Sequence, residues 1–135
     1  MERARWFFDA TPEKNVVSWN AILGAYAGAG MLSRARKLFD RMPTRNTASW
    51  SSMITGLVQA DQCEEALRVF SEMVAKDVVP NESALVSAVS ASGRLRSIEH
   101  GVWVHAYAKR ELQGPMSVIL ATAIVDMYGK CGSIP

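Results

Sequence analysis

Cysteine is nearly absent from this chain. Of 135 residues only Cys63 and Cys131 carry thiols, 68 positions apart. That spacing offers no paired metal ligands and no disulfide framework, and such sparing use of cysteine fits a reducing compartment. No apolar run approaches the roughly 20 residues needed to span a bilayer. Charge imbalance is missing too: 15 basic and 13 acidic residues leave a net charge of +2, too small to announce a polyanion partner by itself. The sequence has no Walker loop, no nucleotide-binding glycine pattern and no recognisable catalytic triad. It also lacks the His-x-Glu and downstream Cys-x-x-Cys of a zinc deaminase. No catalytic residue, metal ligand, cofactor or small-molecule substrate is therefore expected. The length and the 49% hydrophobic content fit one modest folded domain rather than a disordered tail.

What the chain does contain is repetition. NVVSWNAILGAYAGAG (15–30) and NTASWSSMITGLVQAD (46–61) each open on Asn and place Trp four residues on. Frames beginning at Asn15, Asn46, Asn81 and Ser117 step by 31, 35 and 36 residues. Within each frame apolar residues follow at i, i+3, i+4 and i+7, one stripe of an amphipathic helix. The stripes are Trp19, Ile22, Leu23, Tyr26; then Trp50, Met53, Ile54, Leu57; then the weaker Leu85, Ala88, Val89, Ser92; then Ala121, Ile124, Val125, Tyr128.

A second helix follows in each frame, with Ala35, Leu38, Phe39 and Met42 on one side in the first copy. Ala66, Val69, Phe70 and Met73 take the same register in the next, and Gly101, Val104 and His105 in the third. Ala or Gly at the leading slot permits close helix–helix approach, and His105, in the slot of Phe39 and Phe70, is expected at a helix interface. Gly30 and Gly93 are expected to stop the first helices, and Pro12, Pro43 and Pro80 to break the chain after the second ones. ERARWFFDATPEKN overlays SRARKLFDRMPTRN at an offset of 31. The Arg-containing N-terminus thus takes the register of a second helix rather than a targeting peptide. Stacked helix pairs bury a continuous core that no pair can bury alone, so the ends of this stack are expected to expose apolar side chains.

Several of these slots suit tetratricopeptide repeats, but the unequal periods do not. NVVSWNAILGAYAGAG, ARKLFDRMP, EEALRVFSEM, GVWVHAYAKR and IVDMYGKCGS resemble the pentatricopeptide repeat proteins of plants, specifically their mixed-length class. The resemblance implies an all-α, right-handed superhelical solenoid of antiparallel helix hairpins. It divides the chain into the second helix of a preceding short repeat (1–14), a short repeat (15–45), a standard repeat (46–80), a long repeat (81–116) and the start of a further short repeat (117–135). It further implies a sequence-specific single-stranded RNA-binding array, one base per repeat, that selects sites for organellar RNA processing such as C-to-U editing in a mitochondrion or chloroplast. Organellar RNA-editing factor proteins would be partners through the long repeat.

The family's base-reading positions fall on Asn20, Ser51, Val86 and Thr122, one residue past the Trp slot, and on Asn46, Asn81 and Ser117, the last residue before each next helix. One residue on is about 100° round the helix, off the core stripe. Asn20 with Asn46 implies a pyrimidine and Ser51 with Asn81 an adenine. Val86 implies no reading, and Thr122 a purine. Base-sandwiching positions fall on Val17, Ala48 and Ile119, and on a polar Ser83.

The residues by themselves admit plainer roles. Asn15, Asn46, Asn81 and Ser117 are all good helix N-caps. Trp19, Trp50, Tyr26 and Tyr128 sit in the core stripe rather than on a stacking platform. Arg34, Arg36, Lys37, Arg41 and Arg45 read as a solvated outer face, and residues 16–29 and 47–60 hold no Lys or Arg. A protein-interaction scaffold holding a peptide in its concave face is the alternative function.

Overall fold

The computed structural model describes residues 16–42, 45–111 and 116–132. The expectations for residues 1–15, for Pro43 and for the side chain of Val17 lie outside them. Among the described residues there are seven helices and no strand: α1 (Val16–Gly28), α2 (Leu32–Arg41), α3 (Thr47–Gln59), α4 (Cys63–Ala75), α5 (Glu82–Arg94), α6 (Ile98–Glu111) and α7 (Val118–Lys130). None is long and apolar enough to cross a membrane.

The helices form two layers. First helices α1, α3, α5 and α7 pack side by side in chain order, each on the next. Second helices α2, α4 and α6 each pack against their own first helix and the following one. A first helix therefore has apolar neighbours on several sides, which explains why its stripe is so completely covered. Ile22, Leu23, Tyr26, Trp50, Met53, Ile54, Leu57, Leu85, Ala88 and Val89 are all buried. Ser92, the weakest member, is fully buried and satisfied by donating from Oγ to the Ala88 carbonyl at 2.9 Å. Trp19 is half-buried. The small leading residues of the second helices, Ala35, Ala66 and Gly101, are buried as close packing requires.

Gly56 sets the separation of the first two first helices. A Cβ there would lie 2.8 Å from Cβ of Ala27, so only glycine lets α1 and α3 approach this closely.

The fourth stripe departs from expectation. Ile124 is buried and Tyr128 half-buried, but Ala121 is exposed and Val125 is 63% exposed. Their counterparts Leu85 and Val89 are covered by a second helix, and no helix follows α7 among the described residues. The face of α7 that is buried instead carries Leu120, Ile124 and Met127, turned toward α5.

Each first helix ends in the same way. Gly30, Asp61, Arg96 and Gly132 have φ of 77°, 62°, 54° and 76°, and they step by the same 31, 35 and 36 residues as the frames. Gly30, Asp61 and Arg96 close Schellman turns, for example Arg96 N–H to Gly93 O and Ser97 N–H to Ser92 O, both at 3.0 Å. Gly30 is a stop as its sequence predicts. Gly93 is not: it lies inside α5, buried, with Cα of Met127 only 3.2 Å from where its Cβ would be. Its role is to admit α7, and Arg96 takes the left-handed position. Because a β-carbon is unfavourable there, Arg96→Gly should stabilise the fold by about 0.5–1 kcal/mol. A denaturant titration comparing unfolding midpoints checks this.

His105 lies between layers as expected. Its Nδ1 is 2.8 Å from the Tyr128 hydroxyl and the rings meet edge to face at 5.6 Å, joining α6 to α7. Burial, with the nearby Lys109 charge, pushes its imidazole pKa below the usual value. The basic cluster on and after α2 is not uniformly solvated. Arg34, Lys37 and Arg41 are exposed, whereas half-buried Arg36 pairs with Asp40 and with Glu72 of α4. Arg45 stacks 4.7 Å from the Phe39 ring and 5.7 Å from Trp50.

Candidate nucleic-acid interface

The N-terminal ends of the first helices bring the predicted reading residues into a row, because each frame starts its helix at the same point. Asn46, Asn81 and Ser117 cap α3, α5 and α7. Their side-chain oxygens accept from the backbone N–H of Ser49, Ala84 and Leu120 at 3.2, 2.9 and 3.1 Å. The capping role inferred from residue type is therefore real, and it constrains what else these side chains can do. An Asn whose Oδ1 serves the helix still has its amide N–H groups to offer.

The first pair is joined directly. Asn20 on α1 donates from Nδ2 to Asn46 Oδ1 at 3.0 Å, across 26 residues of chain. Ser49, fully buried, completes the group: its hydroxyl donates to Asn20 Oδ1. It also accepts from the Asn46 backbone N–H at 3.1 Å, closing a capping box.

The second pair differs. Asn81 is exposed, but Ser51 is only 7% exposed, and no hydrogen bond joins them. Ser51 lies off the core stripe, yet the neighbouring first helices on both sides of α3 cover it. Ser51 lines an open pocket of about 280 Å³ with Gly24, Gly28, Thr55, Gln59 and Ser83. The walls are small and polar, and two of the glycines keep the α1 side open. One step deeper, Thr55 and Ser87 tie α3 to α5 through their hydroxyls at 3.0 Å.

The third pair offers no free side-chain donor. Val86 is half-buried within the apolar core margin, and Ser117 donates its hydroxyl proton to Glu82 at 2.6 Å. Thr122 is exposed on α7. Of the sandwiching positions, Ala48 and Ser83 are exposed and Ile119 is 66% exposed.

Two basic residues escaped the sequence reading. Arg94 and Lys130 occupy the same slot at the ends of α5 and α7, where α3 has Gln59. Arg94 donates from Nη1 to the Val58 carbonyl at 2.7 Å, and Lys130 pairs with Asp126 at 3.0 Å. Continuing the search for Lys and Arg past residue 60, in the same register, would have found them.

Comparison with known proteins agrees with this architecture. A model described as the PPR repeat family matches residues 45–85, and one described as the PPR repeat matches residues 17–47. A pentatricopeptide repeat-containing protein of Arabidopsis thaliana is 52% identical over 133 residues, covering 97% of this chain and 24% of the relative. Another from the same plant, named as chloroplastic, is 37% identical over 135 residues, 99% of this chain and 14% of its own length. One named as mitochondrial is 37% identical over 55 residues, 41% of this chain and 8% of its own. The crystal structure of the pentatricopeptide repeat protein PPR10 from maize matches 97% of this chain and 20% of that one, with a TM-score of 0.76 at 21% identity. At that identity the likeness is one of fold. The chain thus spans less than a quarter of the length of these relatives.

Proposed function

The chain belongs to the pentatricopeptide repeat family, and from that membership we propose that it binds single-stranded RNA along the N-terminal ends of its first helices. The observation that carries this is the Asn20–Asn46 contact at 3.0 Å. Two amides from successive frames meet at a partly open edge, where capping alone asks nothing of Asn20. Amide pairs suit base edges, which both donate and accept.

In this reading the chain is a short repeat (15–45), a standard repeat (46–80) and a long repeat (81–116) of the mixed-length class, between a second helix at 1–14 and a further first helix at 117–135. Asn20 and Asn46 take a pyrimidine, and Ser51 with Asn81 an adenine in the pocket beside Ser83. Val17, Ala48 and Ile119 pack against base faces. The long repeat is silent: Val86 has no polar atom to offer and Ser117 is held by Glu82. Thr122 takes a purine. Arg94 and Lys130, near the far ends of their helices, supply positive charge for phosphates. In the whole protein, such an array would select organellar transcripts, in a mitochondrion or chloroplast, for processing such as C-to-U editing.

A protein partner has its own supporting observation. On α6 of the long repeat, Val102 and Trp103 are 48% and 38% exposed on the outer layer. Trp103 is anchored edge to face on Phe70 at 5.6 Å. That surface suits an editing-factor protein and leaves the inner layer free for RNA.

Titrating the ¹⁵N-labelled chain with a short RNA of pyrimidine, adenine, any base and purine should shift the Asn20, Asn46 and Asn81 side-chain amide signals. An oligo-guanosine-free scrambled RNA should shift them less at equal concentration. Equal shifts for both, or none, would refute sequence-specific RNA binding by this chain.

A further inference from the structure

We propose that Ser49 is the positioning residue of the first reading pair, and that it fixes which hydrogen-bonding groups the pair shows to a base. The inference rests on the RNA-binding reading above. Ser49 is fully buried and belongs to α3, the next first helix after the one that carries Asn20. Its hydroxyl donates to Asn20 Oδ1, with Asn46 Oδ1 a longer second acceptor at 3.1 Å, and its lone pair receives the Asn46 backbone N–H at 3.1 Å. Asn46 Oδ1 meanwhile accepts both Asn20 Nδ2 at 3.0 Å and the Ser49 backbone N–H at 3.2 Å.

Both amide oxygens are therefore drawn inward, onto Ser49 and the helix end. The groups left for a ligand are N–H donors: two on Asn46 Nδ2 and one on Asn20 Nδ2. A face made of donors selects a base edge with adjacent acceptors. Cytosine carries O2 and N3 side by side, whereas uracil presents N3–H beside O2. Without the Ser49 hydroxyl, the Asn20 amide is held in this orientation by its Nδ2 contact to Asn46 Oδ1 alone. It turns over more readily to offer its oxygen, and the distinction between the two pyrimidines weakens. The other pairs lack this device, because Ala84 and Leu120 stand where Ser49 stands and neither has a hydroxyl.

The test is an NMR titration of the 135-residue chain with two short RNAs that differ only in cytosine or uracil at the base opposite Asn20 and Asn46. Millimolar affinities are readable this way. The expected result is a preference for cytosine of roughly tenfold, falling to less than about threefold in Ser49→Ala. Ser49→Cys fills the buried site with a slightly larger group and gives up a strong donor, so it should weaken the preference in the same way. It supplies the measurement if the alanine variant does not fold. A purely structural role would lower the melting temperature of either variant and leave the ratio unchanged; that outcome overturns the assignment while RNA binding stands. Equal binding of the two RNAs by the unaltered chain overturns it likewise. Binding of neither RNA overturns both the assignment and the proposed function.

Discussion

Replacing Trp50 with alanine should remove about 3–5 kcal/mol of folding stability. Trp50 is 2% exposed and opens the stripe of α3, a first helix flanked on both sides by others. Phe39 of α2 meets it edge to face at 4.8 Å. Arg45 lies 5.7 Å from its ring and Lys76 5.8 Å, so cations flank an indole that already packs between layers. Truncation would open a cavity where α2 and α3 meet, and neighbouring frames would be unstitched with it. A domain of this kind has only about 5–15 kcal/mol in hand, so the loss should be visible as a large fall in the denaturant midpoint. Trp19→Ala, at the equivalent but half-buried slot, should cost clearly less. Equal losses at the two positions would mean that burial across the stack does not set the energetics.

The second large effect concerns the base rather than the fold. Changing Ser51→Thr together with Asn81→Asp should move the preference of the standard repeat from adenine to guanine, by about tenfold in the ratio. Asn81 gives its Oδ1 to the Ala84 N–H at 2.9 Å, which leaves its N–H groups to face an acceptor such as adenine N1. A carboxylate at this position keeps the cap, since Asp is as good an N-cap as Asn and its charge is favourable at a helix N-terminus. Its second oxygen then accepts where the amide donated, which suits the N1–H and amino group of guanine. The double change should therefore invert recognition with little effect on stability. At Ser51, in the pocket wall, threonine keeps the hydroxyl and adds one methyl group.

The helical stripes were legible because a period of 3.6 residues leaves a strong trace wherever one face is buried. Trp50, Met53, Ile54 and Leu57 all lie where that period puts them. Ser51 is covered although it lies off the stripe, because periodicity places a residue on one helix and is blind to the neighbour on its other side. In a stack, α3 has first helices on both flanks, so a position off the stripe can still be covered. Gly93 differs from the expected stop because glycine has two uses, and here close packing against Met127 prevails over chain reversal. The true stop, Arg96, has no residue-type signal at all. Ala121 and Val125 follow the stripe in sequence but need a second helix over them to be buried. Ser49 was visible in principle, as the serine three residues after an N-cap Asn; what the sequence could not show was that Asn20, 29 residues earlier, reaches the same hydroxyl.

The central claim is that residues one past the Trp slot, paired with the next helix cap, read bases. It is tested most directly by competing two RNAs, identical except for adenine or guanine opposite Ser51 and Asn81, for the unaltered chain and for the Ser51→Thr, Asn81→Asp double variant. The account predicts that adenine wins with the unaltered chain and guanine with the variant, at matched melting temperatures. The same preference in both proteins, or RNA binding that ignores the base at this position, would contradict it.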